Sequence, residues 1–369
     1  MTINTIEKLL LRFLKLLMNH KQIKEFIENS FLKSLVSQNN VTDISYNGDS
    51  LYYMDNNFGR MKSDIEVSLD LVRNFIRQIA NLCEKQFSFQ NPILDVSVEK
   101  YRINAVHQSI SKRENNDVIT FSIRIASTKP RIYKGCNFFQ KGVEELLSIL
   151  IKSKVSIVIG GITGTGKTEL QKYLISCMSE HTRVIVIDNI LELDSLSLDL
   201  PIDLNIWQSD ERNLVSTNRQ LIKNALRSNP DWLVVAESRG EEMIDILNSS
   251  LTGHPVITTI HSYDLSAMPT RMARMALMSN SKLDFLDTLT DLQYHMKFYI
   301  YLKKETLKDG SIDRYISDIG FLNSEKMESI YNFKKGSPKY SKLSISAKEY
   351  LDLSGVSKEF KQLFLGDKT

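Results

Sequence analysis

The sequence is poor in the residues that support several whole classes of function. It has 3 cysteines, Cys83, Cys136 and Cys177, with no CxxC spacing among them. No disulfide framework or zinc site follows from them, and a reducing cytoplasm fits best. No two of its 6 histidines stand at metal-ligand spacing. Net charge is only +3, and there is no basic tract, so the chain as a whole lacks the electrostatic footprint of a nucleic-acid binder. No internal repeat or low-complexity tract is present. An apolar run at Leu9–Met18 is interrupted by Arg12 and Lys15 and is too short to span a bilayer. No small-residue cleavage site follows it, which argues against a signal peptide.

What remains is ordinary globular material, 42% hydrophobic and 25% charged over 369 residues, a length that favours two domains. Beyond the first run, Ile23, Phe26, Ile27, Phe31, Leu32 and Leu35 continue an apolar stripe with basic residues between them. Such a stripe packs on a domain or touches a membrane or partner. Thr42–Tyr46 and Leu51–Met54 alternate like strands around an Asn47-Gly48-Asp49 turn. Leu69–Phe87 has a helical period, and Leu94–Val98, Tyr101–Val106 and Val118–Ile125 read as further strands. Pro130 and Gly135 mark a link. From about Phe138 helices and strands alternate, the pattern of a parallel sheet covered on both faces.

Val155–Gly160 reads as a buried strand, and Gly161-Ile162-Thr163-Gly164-Thr165-Gly166-Lys167-Thr168 follows at once, with a helical period after it. This is G-x-x-x-x-G-K-[ST] in the strand–loop–helix context that gives it meaning. Glycines let backbone N–H groups turn inward on phosphate oxygens, and the helix N-terminus adds positive potential. Lys167 reaches the β- and γ-phosphates, and the Thr168 hydroxyl ligates Mg²⁺. Gly161, Thr163, Gly164, Thr165, Gly166, Lys167, Thr168 and Glu169 are the nucleotide-binding candidates of this stretch.

Three strands then end in polar groups. Arg183–Ile187 runs into Asp188, which orients a water or metal or else serves as a turn acid. Trp232–Val235 runs into Ala236-Glu237, placing a carboxylate where it binds the Mg²⁺ shell or polarises the attacking water. Asp231, at the strand's other end, is structural. Arg239 pairs with Glu237 or with a phosphate across a subunit interface. Pro255–Ile260 ends in His261, either a γ-phosphate sensor or a satisfied core histidine.

Taken together these segments resemble the secretion ATPases of type II and type IV systems. The resemblance lies in Leu226-Arg227, Pro230-Asp231, Glu237-Ser238-Arg239-Gly240, Thr252-Gly253-His254 and Thr259-Ile260-His261, and the CpaF-like (Tad pilus) and type IV secretion branch looks nearest. It extends to Asp95, Arg102–Val106, Phe121–Arg124 and a late hairpin at Phe298–Leu302 and Tyr315–Ile319. The resemblance implies that Arg102 and Arg124 reach the nucleotide from the N-terminal domain. Glu192, Arg239 and His254 join the binding set by their matching positions. One departure stands out: Asp188-Asn189 replaces a glutamate-aspartate pair, which shortens the first acid by one methylene.

The expected fold is α/β: an N-terminal α/β domain over 1–128, a linker over 129–137, and a RecA-like P-loop ATPase domain with a mainly parallel sheet over 138–369. The implied function is an ATP-hydrolysing, Mg²⁺-dependent hexamer that powers a secretion, conjugation or pilus machine. It would sit peripherally at the cytoplasmic face of the membrane, against membrane-embedded platform proteins. Lys167, Glu237, Asp188 and His261 are the catalytic candidates, and Thr168 and Glu237 the metal ligands. Two other readings use the same core: a nucleic-acid translocase, and an ATP-binding scaffold of little turnover.

Overall fold

The computed structural model describes residues 20–366 apart from 128, 195–199, 212, 280, 281 and 335. The apolar run at 9–18 lies outside these. Two compact units divide the chain, one holding the residues to Thr128 with Thr306–Ile312, the other Lys129–Glu305 with Asp313–Thr369.

In the first unit, α1 (20–28) and α2 (Lys33–Val36) lead to β1 (Val41–Tyr46), β2 (Leu51–Asp55) and β3 (Gly59–Lys62). Then come α3 (Leu69–Leu82), β4 (Ile93–Val98), β5 (Tyr101–Val106), the short β6 (Lys112–Arg113) and β7 (Asn116–Asp117), and β8 (Thr120–Ile125). Six strands form an antiparallel sheet in the order β3-β2-β1-β8-β5-β4. Alternation in β5 buries Tyr101, Ile103 and Ala105. These join Ile23, Ile27, Val72, Phe75, Ile76 and Ile79 from the helices in one core. Ser68 caps α3 by accepting from the Leu71 N–H. That helix stops at Leu82, short of the sequence expectation, because Glu84 takes a left-handed φ of 53°.

The second unit begins with α4 (Val143–Lys152), β9 (Ile157–Gly161), α5 (Lys167–Ser176), β10 (Arg183–Asp188) and β11 (Asp203–Gln208). It continues through α6 (Asn218–Ala225), β12 (Trp232–Val235), α7 (Met243–Leu251), β13 (Val256–Ile260), α8 (Ala267–Leu277) and α9 (Phe285–His295). It ends with β14 (Phe298–Thr306), β15 (Ile312–Leu322), β16 (Met327–Lys334), β17 (Ser337–Tyr340), α10 (Ile345–Glu349) and α11 (Lys358–Phe360). Nine strands share a sheet in the order β11-β10-β12-β13-β9-β14-β15-β16-β17. From β11 to β14 every pairing is parallel, and β15-β16-β17 are joined antiparallel.

A parallel sheet is buried on both faces, and alternate residues of each strand feed two cores. Ile157, Ile159, Val184, Val186, Trp232 and Val234 pack with α4 and α5, whereas Val158, Ile185, Ile187, Leu233 and Val235 pack with α7 and α8. No helix among the described residues is long and apolar enough to cross a membrane.

Candidate active site

In a parallel sheet all strand C-termini meet at one edge, and the connecting loops build a crevice there. The glycine loop leaves β9 at that edge. Gly161 has φ 154°, and a Cβ on it would lie 2.7 Å from Thr165 Oγ1 and 2.8 Å from the Leu302 carbonyl oxygen, so only glycine fits. The Thr165 hydroxyl donates to the Ile162 carbonyl at 2.9 Å and closes the loop, and Gly166, at φ 94°, turns the chain into α5.

Lys167 opens α5 with its amine folded back into the loop. Nζ donates to the carbonyls of Gly161 (3.0 Å) and Ile162 (3.1 Å) and stands 3.5 Å from His261 Nδ1. Burial pushes its pKa down to about 8, against the carboxylates of Glu237 and Glu192, which hold it up; the charge of Lys304 pushes it down further. The Thr168 hydroxyl has no protein hydrogen-bond partner among the described residues.

The sheet order explains the next contact. The glutamate strand β12 is not beside β9, because β13 lies between them. His261, just past the end of β13, is thereby set between Lys167 and Glu237. His261 Nε2 lies 3.0 Å from Glu237 Oε1, yet that oxygen is buried and accepts no hydrogen bond of good geometry. The other oxygen accepts from Arg239 at 2.8 Å. Burial pushes the Glu237 carboxyl up, but Arg239, His261 and Lys167 together carry it below the ordinary carboxylate range. Burial, then the charge of Lys167, lowers His261, which is therefore neutral at pH 7.

Second contacts hold this corner. Ser238 and Thr258 share a buried hydroxyl hydrogen bond of 2.7 Å, and the Thr259 hydroxyl donates to the Ala236 carbonyl at 2.7 Å. Gln171, on the inner face of α5, donates to the Val235 carbonyl at 3.1 Å. The glutamate tip of β12 is thus tied both to β13 and to the helix that carries Lys167.

Several residues named from the sequence have other partners. Asp188 does lie at the C-terminal edge, but both carboxylate oxygens are engaged by backbone, one by the Ile190 N–H at 2.9 Å and the other by the Leu193 N–H at 3.3 Å. It is a buried turn acid; burial raises its pKa over the pull of these N–H groups. Glu169 accepts from the backbone of Arg131 (2.6 Å) and from Lys172 Nζ (2.9 Å), so it anchors a neighbouring segment and neutralises a buried lysine rather than meeting phosphate. His254 precedes β13 and His261 follows it, which sets them about 20 Å apart by strand rise. Within one protomer His254 cannot share the crevice, and its Nδ1 lies 3.2 Å from the Thr252 hydroxyl. Asp231 pairs with Lys154 and accepts from the Arg183 N–H at the sheet's far edge. In the first unit, Arg102 and Arg124 are direct cross-strand partners, balanced by Asp95 at 3.6 Å and Asp43 at 3.3 Å.

Sequence reasoning missed Arg314, whose Nε donates to the Gly164 carbonyl at 2.7 Å, and Lys304, whose Nζ lies near the same glycine. It also missed the buried Gln171. Only Lys304 left a signal in the sequence, as a cation two residues beyond the apolar part of β14.

The family model for Type II/IV secretion system protein matches residues 116–291. An uncharacterised Bacillus anthracis protein is 28% identical over 293 residues, which is 78% of this chain and 64% of that protein. The type IV secretion system protein VirB11 of Bartonella quintana is 26% identical over 240 residues, 53% of this chain and 65% of its own length. The chain thus spans just under two thirds of either relative. Among solved structures, the Legionella pneumophila ATPase DotB shares the fold with a TM-score of 0.60 at 20% identity, covering 80% of both chains. The matched stretch, just under half of the chain, takes in the glycine loop, Glu237 and His261 alike, and over it the chain is similar to the type II/IV secretion system proteins.

Proposed function

We propose that the chain is an ATP-hydrolysing motor with a RecA-like core, assembled as a ring of six. It would power a type IV secretion, conjugation or Tad-like pilus machine from the cytoplasmic face of the membrane. The observation that carries this reading is the convergence of Lys167, Glu237 and His261 on one crevice behind a glycine loop. The kinship with the type IV secretion system protein VirB11 supports the choice of machine.

The residues fit Mg²⁺ and a triphosphate. An unpartnered Thr168 hydroxyl and a buried, unbonded Glu237 oxygen are hard oxygen ligands, and Mg²⁺ takes few of these from protein beside its waters and phosphates. No group of three acidic, cysteine or histidine side chains among the described residues could hold a metal alone, which agrees with that mode. When bound, Mg²⁺ supplies positive charge against the β- and γ-phosphate oxygens.

The protein does the rest. Lys167 withdraws from two loop carbonyls to meet the β- and γ-phosphates. Glu237, ionised at neutral pH, takes a proton from the water whose oxygen forms the new bond to phosphorus. The bond from that phosphorus to the β–γ bridging oxygen breaks, and its electron pair leaves with ADP. Neutral His261 donates to the oxygens that gain charge. Steady-state phosphate release by the full chain tests this: wild type turns over and Lys167→Ala does not. Mass photometry with a non-hydrolysable ATP analogue tests the ring. Turnover that survives Lys167→Ala refutes the site, and a persistent monomer at micromolar concentration with nucleotide refutes the hexamer.

A further inference from the structure

A cavity of about 880 Å³ opens from the inner corner of the crevice, beginning at Ile162, Thr163, Arg239 and His261 and running along α8 to Arg271 and Arg274. Met275, Met278 and Tyr263 add an apolar wall, and no carboxylate lines it. Arg239 is already committed to Glu237. Arg271 and Arg274 make no hydrogen bond or ion pair to any protein group among the described residues. They lie on the exposed side of α8, whose other side buries Met272, Ala273, Met275 and Ala276. Arg271 is near enough to help push His261 below its ordinary pKa.

Two uncompensated guanidinium groups, three residues apart on one helix face, in a cavity free of acids, make a site for an oxyanion. We propose that Arg271 and Arg274 bind inorganic phosphate on its way out of the active site. The proposal rests on the reading of the glycine loop as an ATPase site. There the γ-phosphate lies toward Lys167, Glu237 and His261, so the bound ADP blocks the route by which ATP entered. The cavity starts at that same corner and offers the free phosphate a second route. Arg239 and His261, shared between site and cavity, hand the anion to Arg271 and then Arg274.

The test measures phosphate binding directly. Inorganic phosphate is titrated into the ADP-loaded full chain and followed by calorimetry, with Arg271→Met/Arg274→Met as the test variant and Arg183→Met as a distant charge control. Wild type and control bind phosphate saturably in the millimolar range, and the double variant at least tenfold more weakly. In a single turnover, cleavage read by quenched flow then runs ahead of release read by a fluorescent phosphate sensor, more so in the variant. If the double variant folds poorly, Arg274→Gln alone weakens binding at least threefold. Equal phosphate affinity in wild type and variants overturns the proposal, as does no saturable binding to wild type, the result expected if the cavity serves an acidic protein segment instead. Because binding is read without turnover, an inactive wild type that binds phosphate through these arginines sinks the ATPase reading and leaves the anion site standing.

Discussion

On the function proposed above, the buried amine of Lys167 ties nucleotide affinity to pH. In the free protein its pKa stands at about 8, displaced from 10.5 mainly by burial. ATP requires the charged form, and triphosphate beside the amine restores its proton. The charged fraction of the free site is about nine tenths at pH 7 and about one tenth at pH 9, for a group titrating at 8. The dissociation constant for ATP therefore rises about tenfold over this interval, or about 1.4 kcal/mol. Proton uptake on binding goes from about 0.1 per site at pH 7 to about 0.9 at pH 9. Titration with a non-hydrolysable analogue gives the first quantity, and calorimetry in two buffers of different ionisation enthalpy gives the second. Lys304→Met, which removes a repelling charge, moves the transition to higher pH. The sign for folding is the opposite of that for binding. A lysine depressed in the folded state costs stability below its folded pKa, and the cost is relieved between about pH 8 and 10.5, where only the unfolded chain still holds the proton. Constant affinity and no proton uptake between pH 7 and 9, in a protein whose Lys167→Ala variant fails to bind, would refute the reasoning.

Glu237→Gln keeps ATP affinity within about threefold and lowers single-turnover hydrolysis by about 10²–10⁴, the range for removing a general base; wild-type hydrolysis in this variant assigns the proton to another group. Glu169→Gln strands the buried Lys172, and urea unfolding shows a loss of about 3–5 kcal/mol, largely recovered in Glu169→Gln/Lys172→Met. Asp188→Glu does not restore reach to a catalytic acid. It displaces two backbone hydrogen bonds in a buried turn and costs about 1–3 kcal/mol with lower turnover, so a faster enzyme would show that Asp188 does face the substrate.

The strands of both units were largely legible, because alternation in β5 and unbroken apolar runs in β9, β10 and β12 are direct prints of one-sided and two-sided burial. So was the glycine loop, whose residue types follow from its backbone. The fate of His254 was also within reach: a histidine before a strand and one after it must stand at opposite edges of the sheet. Asp188 could not be settled, since a strand-end acid looks the same whether it faces a ligand or its own turn. The order of strands in the sheet, and hence the seat of His261 between Lys167 and Glu237, depends on pairings that no local pattern encodes. Nor did the sequence reveal the approach of Arg314 to Gly164 from 150 residues away.

The place of β9 in the sheet has a consequence for how the protein is made. Its two neighbours are β13, with Ile257 opposite Ile157, and β14, with Phe298 opposite the same residue. They arrive about a hundred residues or more after the strand that bears the glycine loop, so the partners of the unit's first strand are the last two of its parallel strands to leave the ribosome. Pairings this distant pay their loop-closure entropy before any contact rewards it, and such chains fold slowly. The Leu302 carbonyl that crowds Gly161 belongs to β14. A nascent chain that stops short of it has the whole nucleotide motif in its sequence and no completed cradle, so nucleotide capture waits for the synthesis of β14.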